Sequence, residues 1–158
     1  LTTSSAASDV YKRQIVTFPE TSKSLPIAML RAREAMMLSF RPILTKYGFT
    51  EQQWRVLRVL SEKGTSDAGQ VAFDACILAP SLSRIIGKLE KNNFISRFVD
   101  NKDGRRINLT LTPLGEEILS KIAPDMDVVY KAIQKRYGAE KLNDLLNLLG
   151  EVSEWRGR

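Results

Sequence analysis

Residues 78–112, LAPSLSRIIGKLEKNNFISRFVDNKDGRRINLTLT, decide the fold. In the first half Leu82, Ile85, Ile86 and Leu89 fall at i, i+3, i+4 and i+7, which lays one apolar stripe along a helix. Pro80 stands in the first turn of that helix and Ser81 near its start, where a missing N–H does no harm. Ser81, Arg84 and Lys88 share the opposite, polar face at i, i+3 and i+7. In the second half the period drops towards 2. Phe94–Val99 alternates roughly, and Ile107, Leu109 and Leu111 point inward while Asn108 and Thr110 point out. Between these runs lies DNKDG, residues 100–104, with the Asp-Gly signal of a β-hairpin turn.

The flanks complete the pattern. Gly64 breaks the chain upstream, Ser66 or Asp67 caps a short helix through Val71, Ala72 and Ala75, and a turn at Ile77–Leu78–Ala79 leads on. Two short helices with a tight turn, the second apolar on one side and basic on the other, follow the helix-turn-helix plan. A hairpin directly after them is a wing. Further upstream Ser24 caps a long helix carrying Ile27, Leu30, Met37, Phe40 and Leu44, which Pro42 is expected to bend and Gly48 to end. Thr50 and Gln53 form a capping box for a helix that buries Val56, Leu57, Val59 and Leu60. Downstream, Thr112 and Pro113 start a long helix that Gly138 stops. A final helix from Ala139 carries Leu142, Leu145, Leu146, Leu149, Val152 and Trp155. That is more apolar surface than one thin domain covers, so another chain is expected to meet it. The fold class is mainly α with a small β-hairpin wing. Residues 1–22 read as a disordered or non-native leader, 23–48 and 113–156 as a helical dimerisation region, and 49–112 as the winged helix-turn-helix.

Composition bounds the function. The 158 residues hold 24 Lys+Arg against 18 Asp+Glu, no His and one Cys. Without His there is no His-based triad, no His-ligated zinc and no imidazole switch. One Cys allows neither an intrachain disulfide framework nor a CxxC centre. No paired base, metal set or phosphate-cradling Gly loop is visible, so no enzyme, cofactor or metal is expected. No stretch approaches the roughly 18 apolar residues of a membrane helix. The net charge of +6 is unevenly spread: residues 23–63 hold eight basic and three acidic groups, residues 80–112 seven and three. Cys76, in an apolar turn, reads as a small core residue rather than a reactive thiol.

The basic blocks point to double-stranded DNA. A helix fits the major groove, where Pro80, Ser81, Ser83, Arg84 and Lys88 would meet base edges and phosphates. The wing, with Lys102 beside it, would send Arg105 or Arg106 into a neighbouring minor groove. Asp103 is expected to hold Arg105 by an ion pair rather than touch DNA, because a carboxylate repels phosphate. The bland alternative is an ordinary solvated basic hairpin. A second constellation lies on the helix from Glu51, where Glu51, Trp54 and Arg58 share a face at i, i+3 and i+7. Arg58 would pair with a carboxylate, Trp54 stack on an aromatic ring and Glu51 accept a phenolic hydroxyl. Its alternative is an ion-pair network over a half-buried Trp.

Asp103-Gly104-Arg105, five residues, then Leu111-Thr112 match the D-x-R-x5-L-T wing signature, and the chain from Ser24 to Trp155 resembles the MarR-type winged-helix regulators. The segments LRAREAMMLSFRPIL, FTEQQWRVLRVL and ACILAPSLSRII are similar to the homoprotocatechuate-degradation operon regulators and their hydroxyphenylacetate-responsive relatives. The resemblance implies a cytoplasmic homodimer on a pseudopalindromic operator. It also implies release by a small aromatic carboxylate such as 4-hydroxyphenylacetate or 3,4-dihydroxyphenylacetate. By resemblance the ligand lies between the first, second and fifth helices, where Ser24, Arg33 and Tyr130 would complete the set. Ala79 stands where those relatives tend to have Arg, and Arg84 where they tend to have Gly, so the operator is expected to differ. A regulator answering another ligand or oxidation, or a DNA binder without an effector, stays open.

Overall fold

A computed structural model describes residues 20–100 and 103–155. The leader expected over 1–22 lies outside the described residues up to residue 19, as do residues 101 and 102 of the hairpin turn, Lys102 included. Among the described residues the chain divides within its first helix, α1 (Leu25–Lys46), into two compact units that meet in sequence between Ala35 and Met36. In the first, a turn in which the Lys23 N–H donates to the Glu20 carbonyl (2.8 Å) leads to the helix, whose opening turn is closed by the Ala28 N–H on the Ser24 carbonyl (2.8 Å).

The second unit continues with α2 (Glu51–Lys63), β1 (Ser66–Asp67), α3 (Ala68–Asp74), α4 (Ala79–Lys91), β2 (Ile95–Val99), β3 (Ile107–Leu111), α5 (Pro113–Tyr137) and α6 (Ala139–Glu154). Local chemistry explains most of these bounds. The Thr50 hydroxyl accepts the Gln53 N–H (3.2 Å) and the Gln53 side chain accepts the Thr50 N–H (2.9 Å), so the capping box closes both ways. Asp67 caps α3 through the Gln70 N–H (3.0 Å). Thr112 caps α5 through the Gly115 N–H (3.1 Å), and its hydroxyl donates to the Asn93 carbonyl. Gly138 separates α5 from α6 at φ +83°, a conformation in which any Cβ is strained.

One core holds the unit together. Leu44 of α1, Val56, Leu57 and Leu60 of α2, Val71 of α3, Leu82, Ile85, Ile86 and Leu89 of α4, Ile95, Leu109, and Leu119, Ile122 and Met126 of α5 are all buried. Each predicted stripe of α2 and α4 thus meets the others, except that Val59 is only partly buried.

The sheet has three antiparallel strands in the order β1-β3-β2, so the hairpin is one strand larger than expected. Ser66 pairs with Leu109 and Asp67 with Asn108. Two residues are too short to show a period, and Asp67 announces only its capping role. Ile107 is a second correction: it is exposed, whereas Leu109 is fully buried. It faces Val99 at the last rung of the β2–β3 ladder, four rungs from the Ile95–Leu111 pair. Alternation assigns a side of the sheet, not a depth, and the end of the wing runs past the core. No residue of α6 is buried.

Candidate nucleic-acid interface and ligand face

The four apolar residues that anchor α4 leave its other side bare. Pro80, Ser83, Arg84, Gly87, Lys88 and Lys91 are exposed, while Ser81 is half-buried at the margin of that face rather than at its centre. The Ser83 hydroxyl folds back on the Ala79 carbonyl (3.3 Å), which leaves its lone pairs outward. Arg84, Lys88 and Lys91 make no ion pair among the described residues. Lys91 continues the spacing from Lys88 by three residues and belongs to the same cationic row, a fourth position that the i, i+3, i+7 face of Ser81, Arg84 and Lys88 does not include. Arg97 of β2, by contrast, is tied to Glu90 (3.1 Å).

The wing turn is a carboxylate-built loop. Asp100 accepts the Asp103 N–H (3.2 Å) and the Asn108 side-chain amide (3.1 Å). Asp103 in turn accepts the Arg105 backbone N–H (3.1 Å). The ion pair of Asp103 is with Arg106, at 3.6 Å, and not with Arg105. The physical reason is helical-like spacing: the i, i+3 partner folds back across the turn, whereas Arg105 is held by its main chain. Its guanidinium makes no ion pair among the described residues.

On α2, Trp54 is half-buried and packs against the core, and Arg58 is exposed with no ion pair among the described residues. Glu51 pairs with Arg41 of α1 rather than with Arg58. Arg41 joins this face across the turn at Gly48, a proximity that no helical spacing reports. Tyr130 of α5 is exposed, its ring 5.1 Å from that of Phe40 and tilted by 54°. Ser24 and Arg33 belong to the first unit, where Ser24 is half-buried and Arg33 pairs with Glu34 (2.7 Å).

Cys76 is exposed, a correction to its reading as a core residue. Its φ of +50° turns the side chain out between two buried neighbours, Ala75 and Ile77. Its carbonyl accepts a hydrogen bond from Arg55 (3.2 Å). Among the described residues no His/Cys/Asp/Glu cluster could hold a metal, and no helix is long and apolar enough to cross a membrane.

Comparison with known proteins agrees with this geometry. The MarR family profile matches residues 49–107. The regulator FarR of Neisseria gonorrhoeae is 43% identical over 138 residues, spanning 86% of this chain and 94% of its own. The homoprotocatechuate degradative operon repressor of Escherichia coli is 38% identical over 81% of this chain and 86% of its own. The crystal structure of NadR in complex with 4-hydroxyphenylacetate superposes with a TM-score of 0.80 at 42% identity, covering 88% of this chain and all of NadR. With its helix-turn-helix, wing and exposed cationic row, the chain belongs to the MarR family of winged-helix transcriptional regulators, which are DNA-binding proteins rather than enzymes.

Proposed function

We propose that this regulator is a cytoplasmic repressor of an aromatic-acid catabolic operon, released from its operator by a small phenolic carboxylate of the 4-hydroxyphenylacetate type. Two copies, joined through their N- and C-terminal helices, would place two α4 helices in successive major grooves about 34–36 Å apart. The observation that carries the reading is the row Arg84, Lys88 and Lys91 with Arg105 beyond it, all exposed and without carboxylate partners among the described residues. Such cations neutralise phosphate on docking. Arg58 supplies the same kind of unpaired guanidinium beside Trp54 on α2, the pair that an aromatic carboxylate asks for. Seating the acid shifts the separation of the two α4 helices, and half-sites one turn apart tolerate little of that. The relatives named above, one a repressor of homoprotocatechuate degradation and one bound to 4-hydroxyphenylacetate, support the effector class.

Anisotropy titration of a duplex selected by the protein from a random pool tests this. Wild type binds at low salt and lets go on adding 4-hydroxyphenylacetate. Arg105→Ala binds more weakly, with the slope of log K against log salt reduced by about one. Arg58→Ala binds the duplex as wild type does but no longer responds to the acid. Equal salt slopes for wild type and Arg105→Ala, or equal release of wild type and Arg58→Ala, would remove the residue concerned from its role.

A further inference from the structure

The Leu78 side chain neither caps a helix nor enters the core. Leu78 is the N-cap of α4 and makes no side-chain cap bond, at a position where Ser, Thr, Asp and Asn stabilise a helix. The helix begins through its backbone alone, the Leu78 carbonyl accepting the Leu82 N–H (3.0 Å), with no part played by the side chain. Packing does not account for it either. At 79% it is the most exposed large apolar side chain among the described residues. Buried Ile77 anchors the backbone immediately before it, and Ala79 and Pro80 after it are exposed too. The outcome is an apolar tip at the N-terminal end of α4, ahead of the cationic row Arg84, Lys88 and Lys91.

An apolar tip in front of a line of cations fits a surface that sets a hydrocarbon group between rows of anions. In the major groove of duplex DNA that group is the 5-methyl of thymine, the one apolar feature on the base edges. Helices of this kind present their N-terminal residues to the bases. We propose that Leu78, flanked by Ala79 and Pro80, reads a thymine methyl in each operator half-site and is thereby a specificity-determining residue. The inference rests on the DNA-binding reading above and adds base selection to it. It also locates sequence choice in a side chain that carries no charge, so its loss leaves the salt slope unchanged.

The test uses the full chain and a duplex that wild type selects from a random pool, in which each thymine is replaced singly by deoxyuridine, which lacks the methyl. Wild type is expected to lose about fourfold in affinity at one thymine per half-site, the worth of one buried methyl group. Leu78→Ser supplies a capping hydroxyl, so its melting temperature should equal or exceed that of wild type. It should bind the thymine duplex as weakly as wild type binds the deoxyuridine duplex, and show no further loss on the latter. Wild-type affinity indifferent to every replacement, or equal deoxyuridine losses in both proteins, would overturn the inference. So would a lowered melting temperature of Leu78→Ser, which would assign the side chain to packing. Failure of wild type to select any duplex sinks the DNA-binding reading itself, a different result.

Discussion

A Cβ added at Gly115 would stand 2.1 Å from the Phe94 carbonyl oxygen and 3.1 Å from the Leu111 side chain. Backbone is on the other side of that clash, so no side chain can swing away. Gly115→Ala is expected to cost about 1–3 kcal/mol or more, seen as a lower urea midpoint with an unchanged helical circular dichroism spectrum before unfolding. Residues whose reasons are local were legible: Thr50 with Gln53, and Thr112 ahead of Pro113, signal their caps within four positions of sequence. Gly115 was not legible, because what it avoids belongs to the entrance of β2. The same distinction separates Arg105 from Arg106. Spacing set both on the wing, but which of them Asp103 would engage depended on how the turn folds back.

Between elements, one ion pair and one hydrogen bond tie the end of α1 to α5. The Lys46 ammonium lies 2.8 Å from Asp125, and the Tyr47 hydroxyl donates to the same carboxylate oxygen at 3.0 Å. The hydrogen bond from Lys46, then that from Tyr47, holds the Asp125 carboxyl below its ordinary range, and Asp125 raises Lys46 above its own. A depressed carboxylate stabilises the fold above the unfolded pKa of about 4, and that contribution is lost as pH falls through the lower folded value. The raised ammonium contributes below about pH 10 and loses its effect as pH rises through the folded value. Asp125→Asn is therefore expected to melt below wild type by a constant amount near neutrality, with the gap closing under about pH 4. Melting curves from pH 2 to 8 check this, and a gap that persists in acid would assign the difference to shape rather than charge. Helices were legible at this scale because hydrophobic period alone gives them. The β1 strand and the Lys46–Asp125 tie were not, since each joins residues more than forty positions apart, where no period operates.

For the whole chain, the informative surface is α6. Leu145, Leu146, Leu148, Leu149, Val152 and Trp155 are all exposed, while the core of the winged-helix unit closes without them. The leucine density of this helix was legible as an excess, and its partner was not, because a single sequence does not say which surface covers it. Under the two-chain assembly proposed above, Leu146→Glu should convert a two-chain particle into a single chain at micromolar concentration. Sedimentation equilibrium reads the mass directly, and thermal unfolding of the remaining fold should stay cooperative. A wild type that already sediments as one chain would remove the assembly. Another feature acts over the same range. The Thr112 hydroxyl is shared between the Asn93 carbonyl at the exit of α4 and the Gly115 N–H at the entrance of α5. One pin thus fastens two rods, and the second, at 25 residues, is about 37 Å long. Taking away that single hydroxyl would therefore strip two main-chain groups of a partner at once, at the joint where both rods meet.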